Sequence, residues 1–253
     1  MDIQAKIYRI PKSRVAGPCM DKPESIRCKT CIMDTSHFFK DLDISAKKDL
    51  QPFLKLKSFT GKEILYNEGD NCKNLYILLS GEVKIYKSMH SGKHQIHKLV
   101  YIPGDLIACD DLFLEYHGSS AEAISEVSTC YINRDEFLKH LNKNSEISAA
   151  MMHFMSRNIN SYIRHIANLG QKSALARVAS YIFFLYETHL ELNLESALLH
   201  NSLSRIEMSE MLGITQRTLI RSLKHLEQNK LITISRDGFL ALDIEELQKL
   251  SES

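Results

Sequence analysis

Tryptophan is absent from this 253-residue sequence, and glycine and proline are sparse, with 10 and 5 residues. Because 44% of the residues are hydrophobic and 25% are charged, the composition excludes collagen-like, low-complexity and disordered chains. No apolar run approaches the roughly 20 residues that a membrane-spanning helix needs, and the first residues lack the apolar stretch of a secretory signal. We therefore expect a soluble cytoplasmic protein that does not associate with membranes.

The net charge is also small, and three common enzyme motifs are absent. The formal net charge is only +1, so any binding of nucleic acid must depend on local charge. The sequence contains no G-x-x-x-x-G-K-[ST], H-E-x-x-H or G-x-S-x-G motif, so we predict that the protein is not an enzyme. The length fits two ordinary domains. Six cysteines in such a chain indicate metal-binding, redox-active or buried thiols rather than a disulfide scaffold.

Glycine-marked turns divide the region from about 57 to 132 into short β-like segments. Six of the ten glycines lie here, and apolar segments such as LYILL and HKLVYI alternate with turn signals such as the Pro-Gly-Asp at 103–105. Strands that recur at intervals of roughly 8 to 12 residues predict a small all-β barrel or sandwich.

A long helix is predicted from Arg134 to Leu169, where apolar residues recur at intervals of three and four. Gly170, which follows it, is expected to be a hinge or a C-cap. An apolar stripe of this length must be covered, either by the chain's own β domain or by the same helix of a second subunit. In the second case the dimer-interface residues are Ile147, Met151, Met155, Ile159, Tyr162 and Ile166.

The segment 203–232 predicts a helix-turn-helix. Ser204 and Glu207 have the spacing of a capping box, which opens a short helix that ends at Gly213. Thr215 can cap a second helix whose polar face carries a local excess of basic residues. Such side chains can bond base edges or phosphates when the helix enters a major groove. The predicted DNA-binding residues are Ser204, Thr215, Gln216, Arg217, Arg221 and Lys224. The last apolar segments predict a two-stranded wing.

In this order, the three regions resemble the CRP/FNR family of bacterial transcription regulators. The resemblance covers about residues 36–250 and is most specific at 58–87 (SFTGKEILYNEGDNCKNLYILLSGEVKIYK), which is similar to the family's β-roll. It implies an α+β fold with an N-terminal cyclic-nucleotide-binding-like β-roll, a long dimerisation helix and a C-terminal winged helix-turn-helix. The implied domains are 1–35, 36–142, 143–170 and 171–253. The implied partners are a second copy of the chain, double-stranded DNA with a palindromic operator, and RNA polymerase.

The resemblance also bears on the effector. In the nucleotide-binding branch of the family, a Glu bonds the ribose and an Arg neutralises the phosphate, and the matching positions here are Cys109 and Ser119. With Asp110 and Asp111 close by and no cation at the phosphate position, a buried cyclic phosphate would be poorly compensated. We therefore do not expect cAMP or cGMP to bind.

Three cysteines near the N-terminus, spaced C-x8-C-x2-C, offer another effector. They resemble the ligand segment of the oxygen-sensing FNR branch, although that branch has the close pair first, and Cys130 falls where the branch places its fourth ligand. The implied metal ligands are Cys19, Cys28, Cys31 and Cys130. Four thiolates suit a 4Fe–4S cluster, whose irons and sulfides react with O2 or NO. The resemblance thus implies a response to oxygen, NO or redox state.

Other interpretations remain open. Four thiolates also suit tetrahedral zinc, and Cys28 with Cys31 could form a metal-free thiol switch. Another branch of the family senses gases through haem, for which His90, His94, His97 and His117 are candidates. A small-ligand-binding module without DNA function would explain the β region but not the capped basic helix.

Two residues depart from the family pattern. Tyr162 stands where the oxygen-labile branch has an Asp that opposes dimerisation, so we expect rearrangement within a standing dimer. Arg217 stands where relatives carry a Glu that accepts from cytosine, whereas Arg221 matches an Arg that reads guanine. We therefore expect a palindromic operator whose inner half-site bases differ from the family's usual TGA.

Overall fold

The computed structural model describes residues 38–39, 42–89, 92–191, 194 and 196–253. Within these ranges the chain forms two compact units. The β unit comprises the described residues up to 88 together with 97–162, and the helical unit comprises those of 89–96 and 163–253. Of the predicted site residues, Cys19, Cys28, Cys31 and His90 lie outside the described ranges.

The β unit is built on two four-stranded antiparallel sheets. The strands are β1 Lys55–Phe59, β2 Ile64–Tyr66, β3 Asn74–Ser80, β4 Val83–Ser88, β5 His94–Val100, β6 Leu106–Ile107, β7 Ser120–Ala123 and β8 Val127–Asn133. One sheet has the order β1-β8-β3-β6 and the other β2-β7-β4-β5, with apolar side chains of both packed in one core. Gly81 shows why glycine marks these turns: its φ is +89°, and a Cβ there would collide with the carbonyl of Glu126. The prediction of a β-roll is confirmed.

Three α-helices flank the strands of the β unit: α1 Ile44–Leu50, α2 Arg134–Lys143 and α3 Ser145–Gln171. The predicted continuous helix from 134 to 169 is interrupted at Asn144. The side-chain oxygen of Asn144 accepts the N–H groups of Glu146 and Ile147, at 2.9 and 3.3 Å, and so caps α3. Gly170 is not the C-cap of α3, because the helix continues through it to Gln171.

Two predicted dimer-interface residues are buried inside their own chain. Ile147 and Met151 are 0% and 2% exposed and pack in a cluster with Phe38, Phe137 and Phe154. Their prediction as interface residues is therefore wrong, because the first turns of α3 close the core of the β unit and cannot also face a second subunit. Met155 packs, partly buried, against the same cluster.

The helical unit contains four further helices and a small sheet: α4 Ala174–Glu191, β9 Leu198–His200, α5 Arg205–Leu212, α6 Gln216–Gln228, β10 Ile232–Ser235, β11 Gly238–Ala241 and α7 Ile244–Glu252. The predicted two-stranded wing is the antiparallel pair β10-β11, and β9 adds a third strand to it. The sequence did not lead us to expect α7, which is capped by Asp243 and packs against α4 with Leu247 buried. No helix in the described part of the chain is long and apolar enough to cross a membrane.

Candidate functional site

The helix-turn-helix comprises α5, a turn at Gly213, and α6. Ser204 accepts the N–H of Glu207 at 3.2 Å, and the Glu207 carboxylate accepts the N–H of Ser204 at 2.9 Å, which completes the predicted capping box. Gly213 ends α5 in the left-handed conformation, with φ 60° and ψ 38°, where a side chain would be strained. Thr215 then caps α6 by accepting the N–H of Thr218 at 3.1 Å. The predicted local structure is confirmed.

The two faces of α6 differ sharply in burial. Leu219, Leu223 and Leu226 are buried, as the sequence predicts. The opposite face is exposed and carries the remaining predicted DNA-binding residues of this helix, Gln216, Arg217, Arg221 and Lys224. Ile220, an apolar residue that we did not single out from the sequence, is 56% exposed between them. This surface can offer donors to base edges and phosphates and an apolar contact to a thymine methyl group.

Both ends of α6 are fixed to neighbouring elements. Nη1 of Arg177, on α4, donates to the carbonyls of Leu212 and Gly213 at 3.2 and 3.4 Å and so holds the turn before α6. At the other end, the carboxylate of Glu227 accepts the N–H of Ile234 on β10 at 3.2 Å. Arg236, which sequence reasoning missed, is exposed in the β10-β11 turn, where a hairpin tip can reach a phosphate. Because both ends of α6 are held by these hydrogen bonds, its basic face forms one continuous surface.

In the β unit, the positions matched to a nucleotide site contain no Glu–Arg pair. The thiol of Cys109 is fully buried beside the amide of Asn158, whose Nδ2 lies 3.3 Å from Sγ, and burial raises the pKa of that thiol to about 12. The hydroxyl of Ser119 lies 3.4 Å from Nε2 of His97. His97, one of the haem candidates, lies on β5 within the β unit.

A cation does lie near this region, however, which the sequence argument missed. Lys98 places its Nζ 3.5 Å from the Asp110 carboxylate and 5.7 Å from the ring centroid of Tyr162. The hydroxyl of Tyr162, on α3, donates to the same carboxylate at 2.6 Å. Burial, together with the charge of Asp110, raises the pKa of Tyr162 well above its usual range. The cation is thus paired with a carboxylate, and a cyclic phosphate would have to displace Asp110 from it.

Tyr162 and the other predicted interface residues differ in what they contact. Tyr162 is half-buried against its own β unit through Asp110, whereas Ile159 and Ile166 are 55% and 67% exposed. Met152 and Ile163 are also more than half exposed. The spacings of seven, four and three residues place these four side chains on one face of α3. The exposed apolar stripe is therefore Met152, Ile159, Ile163 and Ile166.

The fourth predicted cluster ligand, Cys130, lies on β8 at the centre of its sheet. It is opposite Leu56 of β1 and Ile77 of β3, and its half-buried side chain packs against the cluster that contains Phe38 and Phe39. Within the described ranges, no three His, Cys, Asp or Glu side chains are grouped so that they could hold a metal ion. Cys130 can thus serve as a metal ligand only together with residues from outside these ranges.

The chain thus consists of a β-roll, a long helix and a winged helix-turn-helix with an exposed basic helix, in that order. This arrangement defines a class of protein, the helix-turn-helix transcription regulators. Two family models match the chain: the cyclic nucleotide-binding domain over residues 56–144 and the Crp-like helix-turn-helix domain over residues 176–250. The chain belongs to the CRP/FNR family of DNA-binding transcription regulators, whose members act as dimers, and it is not an enzyme.

The similar proteins include FNR-like regulators. The nitrogen fixation regulation protein FixK of Bradyrhizobium diazoefficiens is 25% identical over 232 residues, which is 92% of this chain and 97% of FixK. The fumarate nitrate reduction regulatory protein of Klebsiella oxytoca is also 25% identical, over 92% of this chain and 96% of that protein. The structure of FixK2 from Bradyrhizobium japonicum matches with a TM-score of 0.71 and 23% identity, over 79% of this chain and 98% of that one, and shows the shared fold.

Proposed function

We propose that the protein is a homodimeric, sequence-specific transcription regulator that binds a palindromic operator and responds to oxygen, NO or redox state. The exposed basic face of α6, capped at Thr215 and fixed at both ends, is the observation that carries this proposal. In a dimer, two such helices would enter successive major grooves about one DNA turn apart, ~34 Å, so that operator symmetry mirrors protein symmetry. RNA polymerase is the expected partner at the promoter.

The residues of this face have different proposed roles. Arg221, and Arg217 one turn before it, have the planar donor geometry that reads guanine, whereas Lys224 acts as a point charge on a phosphate. A binding-site selection followed by fluorescence anisotropy tests these roles. Arg217→Ala should lose about 1 to 3 kcal/mol of discrimination at one base pair, whereas Lys224→Ala should weaken all sequences alike and reduce the salt dependence. Selection of the ordinary TGA half-site would contradict the proposed role of Arg217.

The proposed dimer is formed through the exposed stripe on α3. Met152, Ile159, Ile163 and Ile166 would meet their copies across a two-fold axis, as expected for parallel helices with a heptad-like repeat. Tyr162 would contribute from the edge of this interface while bonded to Asp110 of its own subunit. The same helix would thereby connect the β-roll to the dimer interface.

The proposed sensor is a 4Fe–4S cluster held by Cys19, Cys28, Cys31 and Cys130. The described residues support this through the position of Cys130. Phe38, only seven residues after Cys31, is buried in the hydrophobic cluster against which Cys130 packs. Seven extended residues span at most about 25 Å, so Cys31 and Cys130 are within reach of one group. When bound, the cluster would supply reactivity toward O2 or NO, and its loss would release the N-terminal segment from β8.

Anaerobic purification followed by visible spectroscopy and iron, zinc and sulfide analysis tests the sensor proposal. A broad visible band with about four irons and four sulfides per chain is expected for the cluster. Other results would contradict the cluster. One zinc per chain would indicate the zinc site, and a sharp visible band would indicate haem. A metal-free protein with a reversible disulfide would indicate the thiol switch. We also propose that cAMP does not bind, and calorimetric titration of the metal-free protein should show no heat of binding.

A further inference from the structure

Side chains from three separate elements of the β unit meet at one carboxylate oxygen. The Oδ2 atom of Asp110 accepts the hydroxyl of Tyr162 at 2.6 Å and lies 3.5 Å from Nζ of Lys98. The same Nζ lies 5.7 Å from the centroid of the Tyr162 ring. Lys98 is on β5, Tyr162 is on α3, and Asp110 is in the short helical turn at 109–111. One oxygen atom thus joins a strand, a turn and the long helix.

The cation of this group depends on the carboxylate. The Lys98 side chain is only 14% exposed, and among the described residues its buried Nζ has no hydrogen-bond partner. Because a buried ammonium without a counter-charge is costly, the carboxylate of Asp110 is what compensates it. The Tyr162 hydroxyl adds a short charge-assisted hydrogen bond to that carboxylate. Lys98 and Tyr162 together therefore offer a cation and a donor to an anion.

The backbone around the turn at 109–111 is held in the conformation that delivers Asp110. Ala108, which precedes the turn, has a φ of +69°, in the left-handed region that favours glycine. After the turn, Nε of Arg134 donates to the carbonyl of Leu112 at 2.7 Å. Strained backbone of this kind persists only where the surrounding contacts impose it. The contacts of the turn thus outweigh the strain at Ala108.

A second contact joins the same turn to α3. The Nδ2 atom of Asn158, one helical turn before Tyr162, lies 3.3 Å from Sγ of Cys109. Because residues four apart are neighbours on a helix surface, Asn158 and Tyr162 reach two consecutive residues of the turn, Cys109 and Asp110. Two contacts at this spacing fix the rotation of α3 about its own axis, and with it the face on which the exposed apolar stripe lies.

We propose that Lys98 and Tyr162 form a carboxylate-binding site that the chain fills with its own Asp110. The Asp110 carboxylate is an internal ligand, which holds α3 in the orientation needed for dimerisation without a diffusible effector at this position. Because Asp110 is part of the chain, it competes as an intramolecular ligand, and a free carboxylate is excluded from the site. The statement about dimerisation rests on the proposed dimer, whereas the carboxylate site does not.

Chemical rescue of Asp110→Ala by formate tests the site. The substitution removes one carboxylate group, which leaves Lys98 and Tyr162 without their anion, so the variant should unfold at a lower urea concentration than the wild type. Sodium formate at about 200 mM should restore at least half of this shift relative to the same concentration of sodium chloride, because a ligand that binds only the folded state stabilises it. The wild type, whose site is filled, should unfold at the same urea concentration in both salts.

Three further variants separate the site from general effects of charge. Asp110→Asn keeps the site filled with a neutral amide, so it should be less stable than the wild type and should gain nothing from formate. Lys98→Met combined with Asp110→Ala should abolish the rescue. Asp49→Ala removes an exposed carboxylate on α1 and should behave like the wild type in both salts. The proposal is overturned if formate does not stabilise Asp110→Ala, or if Asp110→Asn is as stable as the wild type.

Sedimentation equilibrium tests the consequence for dimerisation. Asp110→Ala should dimerise roughly tenfold more weakly than the wild type in chloride, because each subunit loses a hydrogen bond to a charged group that holds α3. Formate should restore part of the affinity, and Asp49→Ala should match the wild type. Unchanged dimerisation of Asp110→Ala would overturn the role of Asp110 in positioning α3. A wild type that is monomeric in every condition would instead refute the proposed dimer, and the formate result would still decide on the carboxylate site.

Discussion

Truncation of one exposed side chain on α3 should weaken dimerisation strongly. Full burial of an isoleucine side chain is worth about 1.5 to 3 kcal/mol, and Ile159 is 55% exposed in the single chain. Roughly 1 kcal/mol per side chain therefore remains to be gained at an interface. A two-fold axis brings both copies of Ile159 into the interface, so Ile159→Ala should cost about 2 kcal/mol, or ~30-fold in the dimer dissociation constant.

Sedimentation equilibrium measures this constant for the wild type and the variant under matched redox conditions. Ser161→Ala is a suitable control, because Ser161 is also exposed but lies two residues on, about 200° around the helix. It should leave the dissociation constant unchanged. If Ile159→Ala and Ile166→Ala both dimerise like the wild type, the stripe is not the interface. A chain that is monomeric at tens of micromolar in every redox state would also refute the proposed dimer.

Four further outcomes are expected. Arg221→Ala should reduce operator affinity by about 1 to 3 kcal/mol and flatten the preference at one guanine, as measured by anisotropy on single-base operator variants; equal losses on all sequences would contradict base reading. Cys130→Ala should abolish the visible absorption of anaerobically purified protein while circular dichroism stays unchanged, and retention of four irons per chain would exclude Cys130 as a ligand. Tyr162→Phe should destabilise the β unit by about 1 to 3 kcal/mol in urea unfolding, because it removes a hydrogen bond to a charged group, and an unchanged midpoint would show that the bond contributes nothing. The pKa of His117 is raised from 6.5 to about 9 on folding, so its stabilisation is complete below pH 6.5 and is lost as pH rises through 9; wild type but not His117→Gln should lose on the order of 2 kcal/mol across this range.

The helix-turn-helix was predictable because its signals are local. A capping box, a glycine turn and a second N-cap occupy fixed positions within twelve residues, and each depends on hydrogen bonds between residues no more than four apart. The β-roll was predictable for a similar reason, since alternation and glycine turns mark strands without reference to their partners. The break at Asn144 was missed because apolar periodicity continues across it, and the cap can be recognised only from its side-chain contacts.

The sequence by itself thus determined the order of the elements, the cap and turn residues, and the basic face of α6, because short-range spacing sets all of these. Only the tertiary structure decided which apolar residues of α3 are buried in the core of the β unit and which stay exposed. The sequence could not separate the two sets, because both follow the same helical period. It also decided that Lys98 meets Asp110 and that His117 lies between the Tyr66 ring and the Asp111 carboxylate. Residues as far apart as 66 and 117 become neighbours only when β2 pairs with β7.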